Sequence, residues 1–563
     1  METNGDNVTP PRAISPAELR AMVMEKLPTI KKIMAVAGAP GMSFAVIHRN
    51  ETVCIHHLGF RSVEHGLKPD DNTRYNINSL TKAIVAQLVG ILIHERDDLD
   101  WHQLVKTHLP EFTSVSAEIA EHCTILDLLS HRMAVTGLDD LWMGASNVVY
   151  LDKSEALRTF ATLKPTGTFR ASFMYNNWGY EIIAQILEKV TGEELSDLLQ
   201  KKIFDPLKMT RSSTSWDSPD KNSARSYNIL KDMKPVKIHR PSLGKGTIME
   251  AAGGVKSTLP DLIKFYKTLM KTINSQFKSG ADSTVGSILK NCRKLASGHV
   301  NLPGLSFREQ TYGAGWARCQ LPGQLGRLST NVGISEEPVA GTGGQPAVVV
   351  YHHGCMPGST SVVNLIPETE SAVIILQNSM PPIDTADFVG QLLVELIVGA
   401  TKPNDYVKLA EEFTAKAVRH VDDINEVLTR SRRLGTMHKD LSHYSGTYFN
   451  EAQNFQIVIC EANNELQMSI QGEDTQTYRL EHYHDDIFSW LMPFDEIAKR
   501  GRSTTFYEPE YYLIEFRGDG KGIHELLWAA DDNFPGEKLK FTCRPPRARV
   551  PVSIWPAWLG FVH

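Results

Sequence analysis

The chain has 563 residues, of which 42% are hydrophobic and 22% are charged, a composition typical of a water-soluble globular protein. This length exceeds that of one ordinary hydrophobic core and predicts two or more domains. A formal net charge of −6 gives no electrostatic basis for binding nucleic acid or an anionic membrane. The most apolar run, residues 83–93, is too short to cross a bilayer.

The amino end and the cysteines indicate the cellular compartment. Residues 1–6 contain neither a basic stretch nor an apolar one, so the sequence shows no secretory signal. The seven cysteines are scattered along the chain and form no Cys-x-x-Cys pair. We therefore expect reduced thiols and a cytoplasmic protein.

The first predicted elements are an amino-terminal arm, a helix and a β-hairpin. We assign residues 1–25 to the arm, within which Ser15-Pro16 is typical of a helix start. That helix should run to about Val36. Two β-type runs within residues 42–57, separated by Arg49-Asn50-Glu51, predict the hairpin.

A serine at the start of a long apolar helix organises the next part of the chain. Residues 79–82 read Ser-Leu-Thr-Lys and lead into the apolar run. Four other Ser-x-x-Lys matches occur, but only this one opens a buried helix. Residues three apart share a helix face, so Ser79 Oγ and Lys82 Nζ could meet. Burial would lower the pKa of Lys82 and let it take the serine proton, while the helix amino end would favour an oxyanion.

Helices and strands then alternate as far as residue 400. Short helices are predicted at 124–131, 180–190 and 261–271, and an apolar helix at 386–398. The polar segments 211–250 and 273–310 are predicted surface loops that could roof a site. A strand at 347–354 and a hairpin at 361–378 complete the β-structure. Strands at both ends of residues 26–400, with helices between them, predict an α+β domain: an antiparallel sheet flanked by helices with a helical insertion.

The remainder of the chain has a different character. Residues 401–438 predict a linker helix, and 439–548 carry short alternating strands that predict a separate all-β barrel. The apolar tail, 549–563, could dock on a domain or on a partner chain. A homodimer through the β-domain or this tail is therefore one prediction. Residues 482–486 have metal-like spacing but lack a third well-placed ligand, so we expect no metal and no cofactor.

A serine nucleophile needs partners, and two later segments could supply them. Tyr175-Asn176-Asn177 offers a phenol that can donate or accept a proton and an amide that can bind substrate. His352-His353-Gly354-Cys355 lies at the end of an apolar strand. There the N–H of Cys355 could face an acyl oxygen, and Gly354 would let a substrate lie close to the strand.

These three elements, in this order, resemble the serine β-lactamase and penicillin-recognising superfamily. The similarity is closest to the class C β-lactamase-like branch, which also holds esterases, D-aminopeptidases and acyltransferases. It spans about residues 26–400. Residues 439–548 more weakly resemble the lipocalin-like β-domain appended to some of these hydrolases.

The resemblance implies a role for each matched residue. Ser79 would attack the acyl carbon, with Lys82 and Tyr175 as the acid/base pair. Asn177 would bind the substrate amide or acyl side chain, beside the strand residues His352, His353 and Gly354. The N–H groups of Ser79 and Cys355 would form the oxyanion hole. Which of Lys82 and Tyr175 takes the first proton stays open, because the two would titrate as a coupled pair.

Departures from the family pattern narrow the expected substrate. His352 stands where β-lactamases have a lysine that attracts a carboxylate, so neutral esters, lactones or thioesters become the favoured small-molecule acyl substrates. His353 is bulkier than the usual threonine and could crowd the site. After His131, residues 132–137 form an altered loop. We expect a serine hydrolase; the alternatives are an acyltransferase using the same acyl-enzyme and a non-catalytic binding protein on this fold.

Overall fold

The computed structural model describes residues 14–215, 221–505, 507–519, 522–531, 534 and 536–544, which form two compact units. Among these residues, the first unit contains 14–429 and also Met492–Glu508, Asp531 and Phe534. The second contains Arg430–Leu491, Pro509–Ala530 and 536–544. The apolar tail predicted at 549–563, and residues 1–13 of the predicted arm, lie outside the described residues.

An eight-stranded antiparallel sheet forms the centre of the first unit, with strand order β2-β1-β14-β13-β12-β9-β8-β7. Strand β1 pairs directly with β14, Phe44 opposite Ile375, which confirms a sheet built from the two ends of the domain. The strands of this unit are β1 Gly41–His48, β2 Glu51–Gly59, β3 Tyr75–Asn76, β4 Ser226–Ile229, β5 Pro235–Ile238, β6 Lys256–Ser257, β7 Val300–Asn301, β8 Gln310–Tyr312, β9 Ala317–Gln320, β10 Gly323–Gln324, β11 Val339–Ala340, β12 Val348–Met356, β13 Ser359–Ile366, β14 Ser371–Gln377 and β15 Ser379–Met380.

Helices cover this sheet and form the insertion between its strands. They are α1 Pro16–Val36, α2 Thr81–Glu95, α3 Val105–His108, α4 Ala117–His122, α5 Ile125–Leu129, α6 Ala156–Phe160, α7 Asn177–Thr191, α8 Leu195–Leu199, α9 Glu250–Gly253, α10 Leu259–Ser279, α11 Cys292–Ala296, α12 Thr385–Val398, α13 Tyr406–Ser431 and α14 Phe494–Lys499. Helices α1 and α12 share one apolar core with the sheet, and α10 also packs against β1, β13 and β14. The predicted α+β architecture is confirmed.

Local sequence explains where several elements begin and end. Helix α1 starts as predicted, because Ser15 and Glu18 form a reciprocal capping box. Helix α7 begins at Asn177, three residues earlier than expected, because the side chain of Asn176 caps it by accepting from the N–H of Gly179. Gly192 then ends that helix in the left-handed conformation.

Two polar segments contain more regular structure than their composition predicted. Helix α10 continues to Ser279, so the predicted loop 273–310 begins later than expected. Within 211–250, β4 and β5 pair antiparallel, and β4 is buried along its whole length. Tertiary burial of Tyr227 and Ile229 outweighs the polar composition around them.

The second unit is a closed eight-stranded antiparallel barrel, which confirms the predicted all-β domain. Its strands are β16 Gly446–Phe449, β17 Gln456–Ala462, β18 Glu465–Ile470, β19 Thr477–His484, β20 Ile487–Ser489, β21 Leu513–Asp519, β22 Gly522–Trp528 and β23 Leu539–Arg544. The ring closes where Tyr448 of β16 pairs with Cys543 of β23. Closure leaves no unpaired sheet edge. In neither unit is any described helix long and apolar enough to span a bilayer.

Candidate active site

Ser79 lies on a short 3-10 turn, Asn78–Leu80, that leads directly into α2. The turn is anchored to the sheet through Asn78. Its side-chain amide donates to the carbonyl of Ser359 over 3.0 Å, and the Ser359 hydroxyl donates back to it over 3.2 Å. Residues 80–92 behind Ser79 are all buried, as expected for a helix that is apolar on every side. The nucleophile candidate is therefore half-exposed on a rigid support.

Gly354 lies directly against this turn. A Cβ atom at position 354 would lie 2.6 Å from the carbonyl oxygen of Ile77 and 3.0 Å from the Cβ of Asn78. The protein's own backbone therefore fills the space that a side chain at position 354 would need, and the contact of Gly354 with substrate stays a prediction. Glycine is needed because β12 and the Ser79 turn touch. Strand β12 also continues past Gly354 to Met356.

Lys82 lies one turn below Ser79 and is fully buried. Its Nζ donates to Ser79 Oγ over 3.1 Å, to Asn177 Oδ1 over 2.7 Å and to the carbonyl of Ala252 over 2.8 Å. Burial lowers the pKa of Lys82 to about 7, although the nearby Asp139 carboxylate favours the charged form. At neutral pH the amine is therefore close to half-neutral and positioned to accept the serine proton.

Tyr175 is the second candidate for proton transfer. Lys82 Nζ lies 4.8 Å from the centre of its ring. Burial raises the pKa of Tyr175 well above its usual range, although the Ser79 side chain favours the ionised phenol. A protonated phenol can donate a proton but cannot take one. The two pKa directions favour Lys82 as the first base and Tyr175 as a proton donor.

Asn177 connects the lysine to a carboxylate that sequence reasoning missed. Its side-chain N–H group donates to both oxygens of Asp139, each over 2.9 Å. Asp139 also accepts from the indole N–H of Trp142 over 2.7 Å. These bonds fix the amide so that Asn177 Oδ1 faces Lys82. The half-exposed Asn177 and the exposed Asp139 reach the solvent side of the site.

His352 forms part of the buried base of the site and does not reach the solvent. Its Nδ1 donates to the carbonyl of His353 over 2.6 Å, so its Nε2 accepts from the Tyr312 hydroxyl over 3.0 Å. Burial, together with repulsion from Lys82, lowers the pKa of His352 to about 3. The predicted direct contact of its ring with substrate is wrong, because both ring nitrogens bond within the protein. The expectation that the His352 side chain is uncharged agrees with its lowered pKa and with these two hydrogen bonds.

An aromatic cluster surrounds these groups. The ring of His131 lies 4.4 Å from that of Tyr175 and 4.9 Å from that of Tyr312. The Nδ1 atom of His131 accepts from the N–H of Asn176 over 3.1 Å. Burial lowers the pKa of His131 well below its usual range, so it too is neutral. The cluster shields Lys82 from water on this side.

His353 lies on the opposite face of the sheet, and the expectation that it crowds the site is wrong. Successive residues of a strand point to opposite faces, so His352 and His353 cannot both face Ser79. The His353 Nε2 atom contacts Asp387 Oδ1 of α12 over 3.0 Å, and both side chains are buried. Gln391 and Asn331 also donate to Asp387. His353 therefore fixes β12 to α12 from behind the site.

This buried pair predicts a pH-dependent stability. Burial opposes ionisation of both groups, but their mutual attraction still raises the pKa of His353 and lowers the pKa of Asp387. The stabilisation should be complete between about pH 4 and 6.5. It is lost as pH rises through the raised His353 value or falls through the lowered Asp387 value. His353→Gln leaves the Asp387 carboxylate buried and unpaired, and should cost about 3–5 kcal/mol.

Thermal unfolding at pH 5, 7 and 9 checks this, with His57→Gln as the matched control. His57 contacts Asp71 over the same 3.0 Å, but the Asp71 side chain is 62% exposed. That pair should contribute less than about 1 kcal/mol. Equal losses in the two variants, or an effect of His353→Gln that is independent of pH, would contradict the prediction.

Cys355 is half-exposed and directly follows Gly354, which touches the Ser79 turn. Burial raises the pKa of its thiol far above neutrality, so the thiol is not a second nucleophile. Its predicted contribution is a backbone N–H beside that of Ser79. Of the eight predicted site residues, only Ser79, Tyr175, Asn177 and Cys355 are partly exposed, and these define the mouth of the site.

Comparison with known proteins identifies the family of this chain. The Beta-lactamase family model matches residues 28–396, so the chain belongs to the β-lactamase family. A second family model, a domain of unknown function (DUF3471), matches residues 432–543, the barrel region. Members of the first family related to this chain include serine-type hydrolases and penicillin-binding-protein homologues.

Individual relatives are distant. The unguisins hydrolase ungD of Aspergillus violaceofuscus (strain CBS 115571) is 24% identical over 80% of this chain and 79% of its own length. A β-lactamase of Providencia stuartii is 26% identical over 43% of this chain and 59% of its own length. Among solved structures, the octameric penicillin-binding protein homologue from Pyrococcus abyssi has a TM-score of 0.51 and 19% identity. It covers 94% of this chain and 100% of its own, which supports the fold alone.

Proposed function

We propose that the protein is a serine hydrolase that forms an acyl-enzyme on Ser79 and acts on a neutral, ester-type small molecule. The observation that carries this proposal is the bond from buried Lys82 to Ser79 Oγ, with the lysine pKa lowered to about 7 by burial. An apolar side chain would pack at this position at a lower free-energy cost than an amine, so packing alone does not explain Lys82.

The arrangement supports a two-step reaction. Neutral Lys82 takes the Ser79 proton as the serine oxygen attacks the acyl carbon, and the N–H groups of Ser79 and Cys355 would receive the developing oxyanion. The C–O bond to the leaving group then breaks, and the leaving oxygen takes a proton from Tyr175 or Lys82. Water repeats the sequence on the acyl-enzyme, releasing the acid and restoring Ser79. The aromatic cluster around Lys82 keeps the amine desolvated throughout.

The charges around the site support an uncharged substrate. When it is protonated, Lys82 lowers the pKa of the buried His131 and His352. Its Nζ already donates hydrogen bonds to Ser79 and Asn177. His352 is neutral where a carboxylate would need a cation. The Asp139 carboxylate is exposed beside Asn177 and would repel an anionic substrate. Esters, lactones and thioesters without a carboxylate fit these charges best.

Two matched chromogenic esters test the substrate class. We expect 4-nitrophenyl butyrate to be hydrolysed with a kcat/KM about 10- to 100-fold above that of the 4-nitrophenyl hemisuccinate anion, since one unfavourable charge contact costs about 1–3 kcal/mol. Asp139→Asn removes the repelling charge and should bring the kcat/KM values of the two esters closer together. Equal rates for the two esters, or preference for the anion, would contradict the proposed substrate class.

Hydrolysis is proposed in preference to acyl transfer because a relative that spans 80% of this chain is named a hydrolase. Product analysis distinguishes the two outcomes. A hydrolase releases free acid at the same rate with or without an added alcohol or amine, whereas a transferase releases little acid until an acceptor is present.

We also propose a reducing, cytoplasmic location and a homodimer. Six cysteines, Cys54, Cys123, Cys292, Cys319, Cys355 and Cys460, lie in described positions as free thiols. Free thiols are typical of proteins in a reducing compartment. Deleting residues 549–563 and measuring the mass in solution tests whether the apolar tail holds the dimer together.

A further inference from the structure

A segment from the carboxyl-terminal half of the sequence forms part of the catalytic unit. Met492–Glu508 lies between barrel strands β20 and β21 in the chain, yet it packs as part of the first unit. We call it the inserted segment. Its backbone is held by Asn228 of β4, whose side-chain amide donates to the carbonyls of Ala498 and Arg502, each over 3.1 Å.

The inserted segment contacts the loop that carries Asp139. We call residues 138–147 the site loop. Arg502 Nη1 donates to Asp140 Oδ1 over 3.2 Å, and the two side chains are only 6% and 9% exposed. A Cβ atom at Gly501 would lie 2.8 Å from the Cα of Ser146, so the two backbones touch. The carboxylate of Asp531, also in this unit, accepts from Thr136 just before the loop.

The site loop needs such support, because its backbone is strained. Leu138, Ser146 and Asn147 all have positive φ angles, of 38°, 57° and 60°. Non-glycine residues keep this conformation only where their surroundings hold it. Asp140 lies in the same loop, and its buried carboxylate bonds Arg502 of the inserted segment. A buried charge pair of this kind defines position more than it adds stability.

A continuous set of hydrogen bonds links the loop to the nucleophile. Asp139 is the neighbour of Asp140 and accepts from Asn177, whose Oδ1 accepts from Lys82, which in turn donates to Ser79. We propose that Arg502 is a positioning residue of the Ser79 site: by holding Asp140 it fixes the site loop, and with it the Asp139 carboxylate that orients Asn177 against Lys82. The kinetic test of this role rests on the proposed hydrolase function.

The test exploits the charge of Asp139. The titratable groups that face Lys82 are Tyr175, Tyr180, His131, His352 and Asp139. Only Asp139 among them favours the charged form of Lys82. If Asp139 moves away, the pKa of Lys82 should fall further, and the acid limb of the pH–rate profile should shift to lower pH. A merely structural defect would lower the rate without moving that limb.

We expect Arg502→Met to lower kcat for 4-nitrophenyl butyrate by up to about 100-fold, the loss typical of a misplacement remote from the reacting atoms. The acid limb should move to lower pH, and Arg502→Lys should recover most of the rate. Arg500→Met is the matched control: Arg500 lies in the same segment but bonds Glu496 within it, and should retain both rate and profile.

Further variants keep the test decisive if Arg502→Met folds poorly. Asp140→Asn removes the charge with little change of shape and should move the acid limb in the same direction. In an Asp139→Asn background, Arg502→Met should produce no further movement. An unmoved acid limb in both Arg502→Met and Asp140→Asn, or an equal effect of Arg500→Met, would overturn the proposal. If the wild-type protein hydrolyses no ester, the hydrolase proposal fails separately. The rate of Ser79 modification by a fluorophosphonate, followed by intact mass, then replaces kcat in the same comparison.

Discussion

Replacing Ser79 with alanine should reduce kcat/KM for 4-nitrophenyl butyrate by at least about 10⁴-fold, which is the scale of loss seen when a catalytic serine is removed. Ser79 Oγ accepts a hydrogen bond from Lys82 Nζ, the proposed base. The Cys355 thiol is not a substitute nucleophile, because burial raises its pKa and keeps it protonated. The measurement is steady-state hydrolysis at pH 8.

The fold should be unaffected by this change, since alanine fits wherever a half-exposed serine fits. Ser242→Ala is the matched control, because Ser242 begins another Ser-x-x-Lys sequence but is exposed and lies outside any helix. We expect it to retain full activity. Substantial hydrolysis by Ser79→Ala, or a comparable loss in Ser242→Ala, would contradict the role of Ser79.

Replacing Lys82 with methionine should lower kcat/KM by about 10²–10⁴-fold, the usual contribution of a general base. In the wild-type protein, kcat/KM should rise with pH through about 7, because burial lowers the pKa of Lys82 to that value and only the neutral amine accepts a proton. The residual activity of Lys82→Met should not show this rise with pH, which is the acid limb of the pH–rate profile. A pH–rate profile from pH 5 to 9 measures both effects.

A second buried lysine provides the control for this experiment. Burial also lowers the pKa of Lys256 to about 7, and its Nζ donates to the carbonyls of Thr214 and Leu243. Lys256→Met removes a buried amine of the same kind that donates to these carbonyls instead of to Ser79. It should reduce stability without removing the acid limb. A wild-type limb in Lys82→Met would instead assign the titration to another group.

The residues nearest the nucleophile were predictable because their relationships are local. Ser79 and Lys82 are three residues apart on one helix, and a single turn of backbone geometry brings them together. Asn177 and Tyr175 lie beside a helix start that Asn176 caps. The joining of the two ends of the domain in one sheet was also predictable, since strands at both ends with helices between them favour a single antiparallel sheet.

The errors at β12 could have been avoided from the sequence. Alternation along a strand places His352 and His353 on opposite faces, and this rule alone excludes His353 from the site. The close contact between Gly354 and Ile77 could not be predicted, because the two residues are 277 positions apart in the chain (354 minus 77). A local sequence pattern does not indicate a contact over that separation.

Asp139 and Arg502 could not be identified from the sequence. Asp139 lies in an irregular loop whose residues follow no period, so nothing indicated which way its carboxylate points. Arg502 is separated from Asp140 by 362 residues, and its position between two barrel strands argued against any role in the other unit. Only the fold brings these groups within hydrogen-bond distance.

The most direct test of the central claim is detection of the acyl-enzyme. The protein should be mixed rapidly with 4-nitrophenyl butyrate, quenched in acid within milliseconds and analysed by intact and peptide mass. We predict a burst of nitrophenol together with one butyryl group on the peptide that contains Ser79, absent from Ser79→Ala. Turnover without any covalent adduct, or an adduct on another residue, would contradict the mechanism.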